Sequence, residues 1–156
     1  MSDRSTKHST FTIERTYDAS PERVFAAWSD PQAKARWFGP SDKPEDAYSL
    51  EFRVGGRERL TIAMPDGPSY TLNALYQDIV PGQRIIYSYD IHRGEDRISV
   101  SLASVEIHAL DAGTRLTLVE HGVFLDGLDT PEAREHGTNV MMDTLGSVLH
   151  GSGEDA

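Results

Sequence analysis

From Thr10 to Tyr17 the chain alternates. Phe11, Ile13, Arg15 and Tyr17 share one face and Thr12, Glu14 and Thr16 the other, which is the period of a strand with one buried side. From Ala47 six more runs keep the same two-residue beat. "YSLEFRV" stops at Gly55-Gly56, "RERLTIAM" at "PDGP", "YTLNALYQDIV" at Pro81-Gly82, "RIIYSYDI" at "HRGED" and "RISVSLASVEIHAL" at "DAG", and "TRLTLVEHGVF" closes the series. Glycine and Pro-Gly supply the positive or preset φ that tight turns need, so consecutive runs are expected to pair as antiparallel hairpins. Within the fifth run the apolar parity changes from Ile98, Val100 and Leu102 to Val105 and Ile107. That shift predicts a bulge near Ala103-Ser104, which would turn Ser101 or Ser104 inward.

Two segments break the beat. In "SPERVFAAWSDPQAKARWFGP" (Ser20 to Pro40), Ser20-Pro21 and Asp30-Pro31 each read as an N-cap followed by proline at the first helical position, so two short helices start ten residues apart. Val24, Phe25 and Trp28 form an inner face on the first, and Trp37 and Phe38 close the second before Gly39-Pro40. At the C-terminal end, Thr138, Met141, Met142, Leu145, Val148 and Leu149 form a single helical stripe, which predicts a helix from about Pro131 to Leu149. Gly137 and Gly146 weaken that helix, so packing must hold it in place.

The expected architecture is α+β: a seven-stranded curved antiparallel sheet, two short helices after the first strand and a long C-terminal helix. Seven strands at about 4.8 Å span roughly 33 Å, whereas a helix with its side chains is about 10 Å wide. The sheet must curl around the helix, and the short helices with Trp28 and Trp37 must shut what remains open. A cavity between the sheet and the C-terminal helix is therefore expected.

Composition narrows the functions. With 156 residues the chain is expected to form one domain over residues 9–150, with disordered tails at 1–8 and 151–156. A net charge of −10 opposes binding to nucleic-acid backbone. No stretch of about 18 apolar residues predicts a membrane span, and no N-terminal apolar core marks a signal peptide. The absence of cysteine excludes disulfides and thiol chemistry, and the expected compartment is the cytoplasm. The histidines lack the paired spacing of a metal site, so no metal and no cofactor are expected.

Candidate chemistry lies on the inward parities. Glu120 continues the face of Leu116 and Leu118, and Arg15 occupies the apolar parity of the first strand. The two are expected to meet as a buried charge pair if the first and last strands are neighbours. Tyr87 and Tyr89 share a face with Ile85 and Ile91, and Tyr76 precedes the turn before them. The candidate pocket comprises Tyr17, Trp37, Phe38, Phe52, Tyr76, Tyr87, Tyr89, Leu118, Glu120, Met141, Met142 and Leu145.

The order of elements, "FTIERTYDASPERVFAAWSDPQAKARWFGP", "RVGGR", Tyr76 to Tyr87 and "GTRLTLVEHGVFLDG" together resemble the activator of heat-shock protein 90 ATPase homologue family, within the START/Bet v 1-like superfamily of helix-grip folds. The resemblance covers about residues 10 to 149. It implies a helix-grip fold, and relatives include lipid carriers, aromatic polyketide cyclases and co-chaperones. The expected function is binding of a hydrophobic or aromatic small molecule without catalysis. The alternatives are a cyclase/dehydratase-like enzyme using Glu120 and a tyrosine, and a chaperone-interacting module. A chaperone partner is the least expected, because the eukaryotic co-chaperones carry a separate N-terminal domain and this chain has no room for one.

Overall fold

A computed structural model describes residues 4–153. The chain runs β1 (Thr6–Tyr17), α1 (Pro21–Ser29), α2 (Pro31–Ala35), a single 3-10 turn (Glu45–Ala47), β2 (Tyr48–Leu50), β3 (Arg57–Ile62), β4 (Tyr70–Val80), β5 (Arg84–Arg93), β6 (Asp96–Ala109), β7 (Thr114–Leu125) and α3 (Pro131–Gly153). The capping chemistry places the helices. Ser20 Oγ accepts from the Arg23 N–H, and the Asp30 carboxylate from the Gln32 N–H at 3.1 Å. Asp30 also ends α1, because Pro31 drives the preceding residue out of the helical region and Asp30 is extended at φ −85° and ψ 120°. One residue thus stops one helix and starts the next.

The strands form a single antiparallel sheet in the order β1-β7-β6-β5-β4-β3-β2. The meander is built by hairpins, and β1 returns beside β7, with Ile13 opposite Leu118. The helix α3 lies against the inner face: the Tyr17 hydroxyl donates to the Met142 carbonyl at 2.8 Å, and the Arg23 guanidinium donates to the Leu149 carbonyl. The core between them holds Ile13, Val24, Trp28, Trp37, Ile85, Leu116, Leu118, Met142 and Leu145. Among the described residues no helix is long and apolar enough to cross a membrane.

Four expectations are corrected. The run "YSLEFRV" yields only three residues of strand, because Gly56 packs so closely on the Glu51 and Arg53 carbonyls that a Cβ would collide with them. Phe52 leaves the sheet there and turns its ring against Phe25 and Tyr76. No bulge occurs at Ala103-Ser104; β6 pairs with β7 without a break from Ser99 to Ala109. Ser99, Ser101 and Ala103 face inward, while Val100 and Leu102 lie exposed on the convex face. Apolar content misplaced the inner face because the interior at that end is polar. The register shifts fall instead between Tyr76 and Asp78, and between Ile91 and His92.

The tails are also shorter than expected. Thr6, Lys7 and His8 already pair in β1, opposite Leu125, Phe124 and Val123, and helix α3 runs on to Gly153. Residues 1–3 and 154–156 of the expected tails lie outside the described residues.

Candidate functional site: an apolar cavity with a charged floor

The helix does not fill the curve of the sheet. A cavity of about 270 Å³ remains, bounded by Phe38 and Gly39 after α2, Leu60 and Ile62 of β3, Tyr70 and Leu72 of β4, and Tyr89 and Ile91 of β5. The first half of α3 closes it with Ala133, Arg134, Gly137, Thr138 and Met141. Gly137 has no side chain where the helix passes the opening, and a Cβ there would meet nothing within 4 Å. Behind this cavity lies an inner chamber of about 30 Å³, room for a water-sized group. Phe38, Leu72, Tyr89, Thr138 and Met141 line both spaces, so the chamber sits at the foot of the cavity.

Two polar clusters form the floor. In the first, Glu120 is 2% exposed and its Oε2 accepts from the Tyr89 hydroxyl at 2.6 Å. The same hydroxyl accepts from Arg134 Nη1 at 3.2 Å. Arg134 also donates to Ser99 at 3.0 Å and forms an ion pair with Asp129 at 2.7 Å, its guanidinium lying over the Tyr89 and Phe124 rings. Burial pushes the Glu120 carboxyl above its ordinary range, with the Tyr89 hydrogen bond and the Arg134 charge acting in the opposite direction. Tyr89 is likewise pushed up, first by burial and then by Glu120.

The second cluster is a buried ion pair. Lys34 Nζ lies 2.6 Å from Glu58 Oε2, and both side chains are 1% exposed. Tyr48 and Tyr76 donate their hydroxyls to the two Glu58 oxygens at 2.5 and 2.9 Å. Aromatic rings surround the ammonium, Phe38 at 4.4 Å and Trp28 at 5.2 Å from Nζ. Burial lowers the Lys34 pKa and Glu58 opposes that shift. Because every Glu58 oxygen is engaged, this cluster acts as a structural clasp joining α2 to β3 and β4.

The expected Arg15–Glu120 pair does not form. Both residues occupy the parities expected of them, but β1 and β7 pair so that Arg15 stands opposite Leu116 and Phe11 opposite Glu120. The four-residue offset sends Arg15 to Asp143, at 3.1 Å, and Asn139 on α3. Glu120 finds Tyr89 across β6 instead. Of the other candidates, Phe38, Tyr89 and Met141 border the larger cavity, and Trp37, Tyr87, Leu118, Glu120 and Met142 the inner chamber. Tyr17, Phe52, Tyr76 and Leu145 border neither and belong to the core. Trp37 is 2% exposed, donates to the Ala27 carbonyl and packs edge-on to Trp28, so it plugs the core and does not reach the cavity mouth.

Sequence reasoning missed Lys34, Glu58 and Arg134, although each carried a signal. Lys34 precedes Trp37 and Phe38 by three and four positions, Glu58 alternates with Leu60 and Ile62, and Arg134 extends the Thr138 stripe by one turn. Charged identity masked their position. Among the described residues no group of three or more His, Asp or Glu is arranged to hold a metal ion.

The sequence model of the family described as Activator of Hsp90 ATPase homolog 1-like protein matches residues 18–150. Among solved structures, an uncharacterized protein from Rhizobium leguminosarum superposes with a TM-score of 0.91 at 43% identity, over 96% of this chain and 99% of its own. The Mll3558 protein from Rhizobium loti gives 0.87 at 46% identity, over 93% of this chain and 99% of its own. The DynU16 protein of the dynemicin biosynthetic locus, at 17% identity, shares the fold with a TM-score of 0.66, over 90% of this chain and 47% of its own. A search of curated proteins finds no match.

Proposed function

The chain belongs to the Activator of Hsp90 ATPase homolog 1-like family, and from that fold we propose that it binds an apolar or aromatic small molecule between the curved sheet and α3. The observation that carries this is the 270 Å³ cavity, whose walls are Leu60, Ile62, Leu72, Ile91 and Met141 and whose polar groups converge at one end. Such a space lies near the lower limit for small-molecule sites and suits a compact ligand of two or three rings. Exposed apolar residues on the convex face offer a weaker case for a protein partner. Val100 stands opposite Val123, but Asp90, Ser88 and His121 occupy the other cross-strand positions around Val100 and Leu102 and keep that apolar group small.

Native mass spectrometry of freshly purified protein is expected to detect a retained small molecule. Titration with lipophilic aromatic compounds is expected to shift the Phe38, Tyr89 and Met141 signals together. Shifts confined to the acidic surface, or none across a broad library, would remove the proposal.

A cyclase/dehydratase-like activity is favoured by one observation, the raised pKa of Glu120 beside Tyr89 at the foot of the cavity. Glu120 borders only the one-water chamber, so any proton transfer would be limited to a ligand group that enters it. Binding without turnover remains the primary proposal.

A further inference from the structure

The inner chamber contains hydrogen-bonding groups that the protein leaves unused. Glu120 Oε2 is taken by Tyr89, but Oε1 receives no hydrogen bond from any described residue. The Tyr87 hydroxyl, on the same chamber wall, neither donates to nor accepts from any described residue, although the neighbouring Tyr89 and Tyr76 both do. Trp28 completes the wall, and of the buried side-chain atoms without a partner among the described residues this wall holds Trp28 Nε1. Glu120 and Tyr87 border the open space itself, and a free acceptor and a free donor facing one water-sized space mark a place for a water or a guest hydroxyl. Burial pushes the Tyr87 hydroxyl well above its ordinary range, and Glu120, Tyr89 and Glu58 add to that shift.

The charges on the floor decide what the guest can be. Two cations, Lys34 and Arg134, face three carboxylates, Glu58, Asp129 and Glu120, and each cation is already held within 2.7 Å of a carboxylate oxygen. No positive charge is left over for an anionic ligand. An ammonium group would be drawn to the Glu120 carboxylate, but it has three donors and no acceptor for the Tyr87 hydroxyl proton. A neutral hydroxyl fits both requirements, since its oxygen accepts from Tyr87 while its own proton goes to Glu120 Oε1. The chamber's 30 Å³ admits that one group, with the apolar body remaining in the larger cavity beyond Phe38 and Met141.

We propose that the ligand is a neutral hydroxylated aromatic, a phenol or a related alcohol, whose hydroxyl enters the inner chamber and is read by Tyr87 and Glu120. This rests on the binding function proposed above and adds the chemistry of the ligand's head group. The hydroxyl replaces a water in kind, whereas an apolar group in its place would leave a buried donor and acceptor unpaired. Sites built to hydrogen-bond a hydroxyl discriminate strongly against analogues that lack it.

The test uses the full chain labelled at its methionine methyls, where Met141 and Met142 border the chamber. Four probes share one ring system: 2-naphthol, 2-methylnaphthalene, 2-naphthoate and 2-naphthylmethylammonium. Naphthol is expected to shift the Met141 and Met142 signals and to bind about tenfold or more tightly than each of the other three. Tyr87→Phe and Glu120→Gln are expected to reduce the ratio of naphthol to methylnaphthalene affinity to about threefold or less, with the methyl spectrum reporting that each variant is folded. If methylnaphthalene, naphthoate or the ammonium binds as tightly as naphthol, or the preference survives both substitutions, the head-group assignment is wrong while apolar binding stands. If none of the four shifts Met141 or Met142, both proposals fail.

Discussion

Lys34 carries a charged group into the core. Its ammonium is fully buried and its charge is balanced by Glu58 at 2.6 Å. Removing one partner leaves the other charged in a low-dielectric interior, so Lys34→Met is expected to lower unfolding stability by about 3–5 kcal/mol in a urea titration. Adding Glu58→Gln is expected to recover much of that loss, because the amide still accepts a tyrosine hydroxyl and carries no charge. Glu120 behaves differently because its folded pKa is raised above the ordinary 4.5. Between those two values the native state holds a proton that the unfolded chain has released, so stability falls as pH rises through that window. Glu120→Gln is expected to abolish this slope. Urea midpoints collected from about pH 4 to 8 should therefore diverge in the variant's favour as pH increases, and parallel curves would show that Glu120 does not titrate in this way.

Among the elements, α3 shows how two identical residues acquire opposite roles. Gly137 faces open space, so Gly137→Ala is expected to stabilise the protein by about 0.5–1 kcal/mol through helix propensity while narrowing the cavity. At Gly146 a Cβ would stand 3.1 Å from the Tyr17 ring, whose hydroxyl is anchored on the Met142 carbonyl. The ring cannot withdraw without breaking that hydrogen bond. Gly146→Ala is therefore expected to unfold at lower denaturant despite the same gain in propensity. The pair α1–α2 was legible from caps alone, because Ser20-Pro21 and Asp30-Pro31 constrain the backbone locally. The interior face of β6 was not, because its inward positions near Arg134 are Ser99 and Ser101, and a hydrophobicity pattern assigns such positions to solvent.

At the scale of the molecule, one helix laid on a seven-stranded sheet leaves a deficit of packing, and the chain leaves that deficit near Tyr89 and Arg134 instead of filling it. A ligand that occupies the cavity only in the native state stabilises it by mass action. At a concentration of a hundred times Kd the gain is about 2.7 kcal/mol, readable as a concentration-dependent rise in thermal midpoint. A midpoint that does not move with saturating 2-naphthol would mean that the cavity is not its site.

What the sequence determined by itself was whatever local chemistry enforces: the two-residue alternation of the strands, the glycine and proline turns between them, the proline-marked helix starts and the stripe of α3. Those signals repeat over many residues, so a single misread position does not overturn them, and they implied the cavity by arithmetic of widths. Tertiary structure decided which polar groups meet. Arg15 and Glu120 had the right parity, yet whether they touch depends on the register of β1 against β7, and the offset sent one to Asp143 and the other to Tyr89. Lys34 meets Glu58 only because α2 folds back over β3, a long-range contact that no spacing along the chain encodes. Register and docking are set by the summed packing of the whole interior, and the floor of the cavity is made entirely of residues brought together in that way.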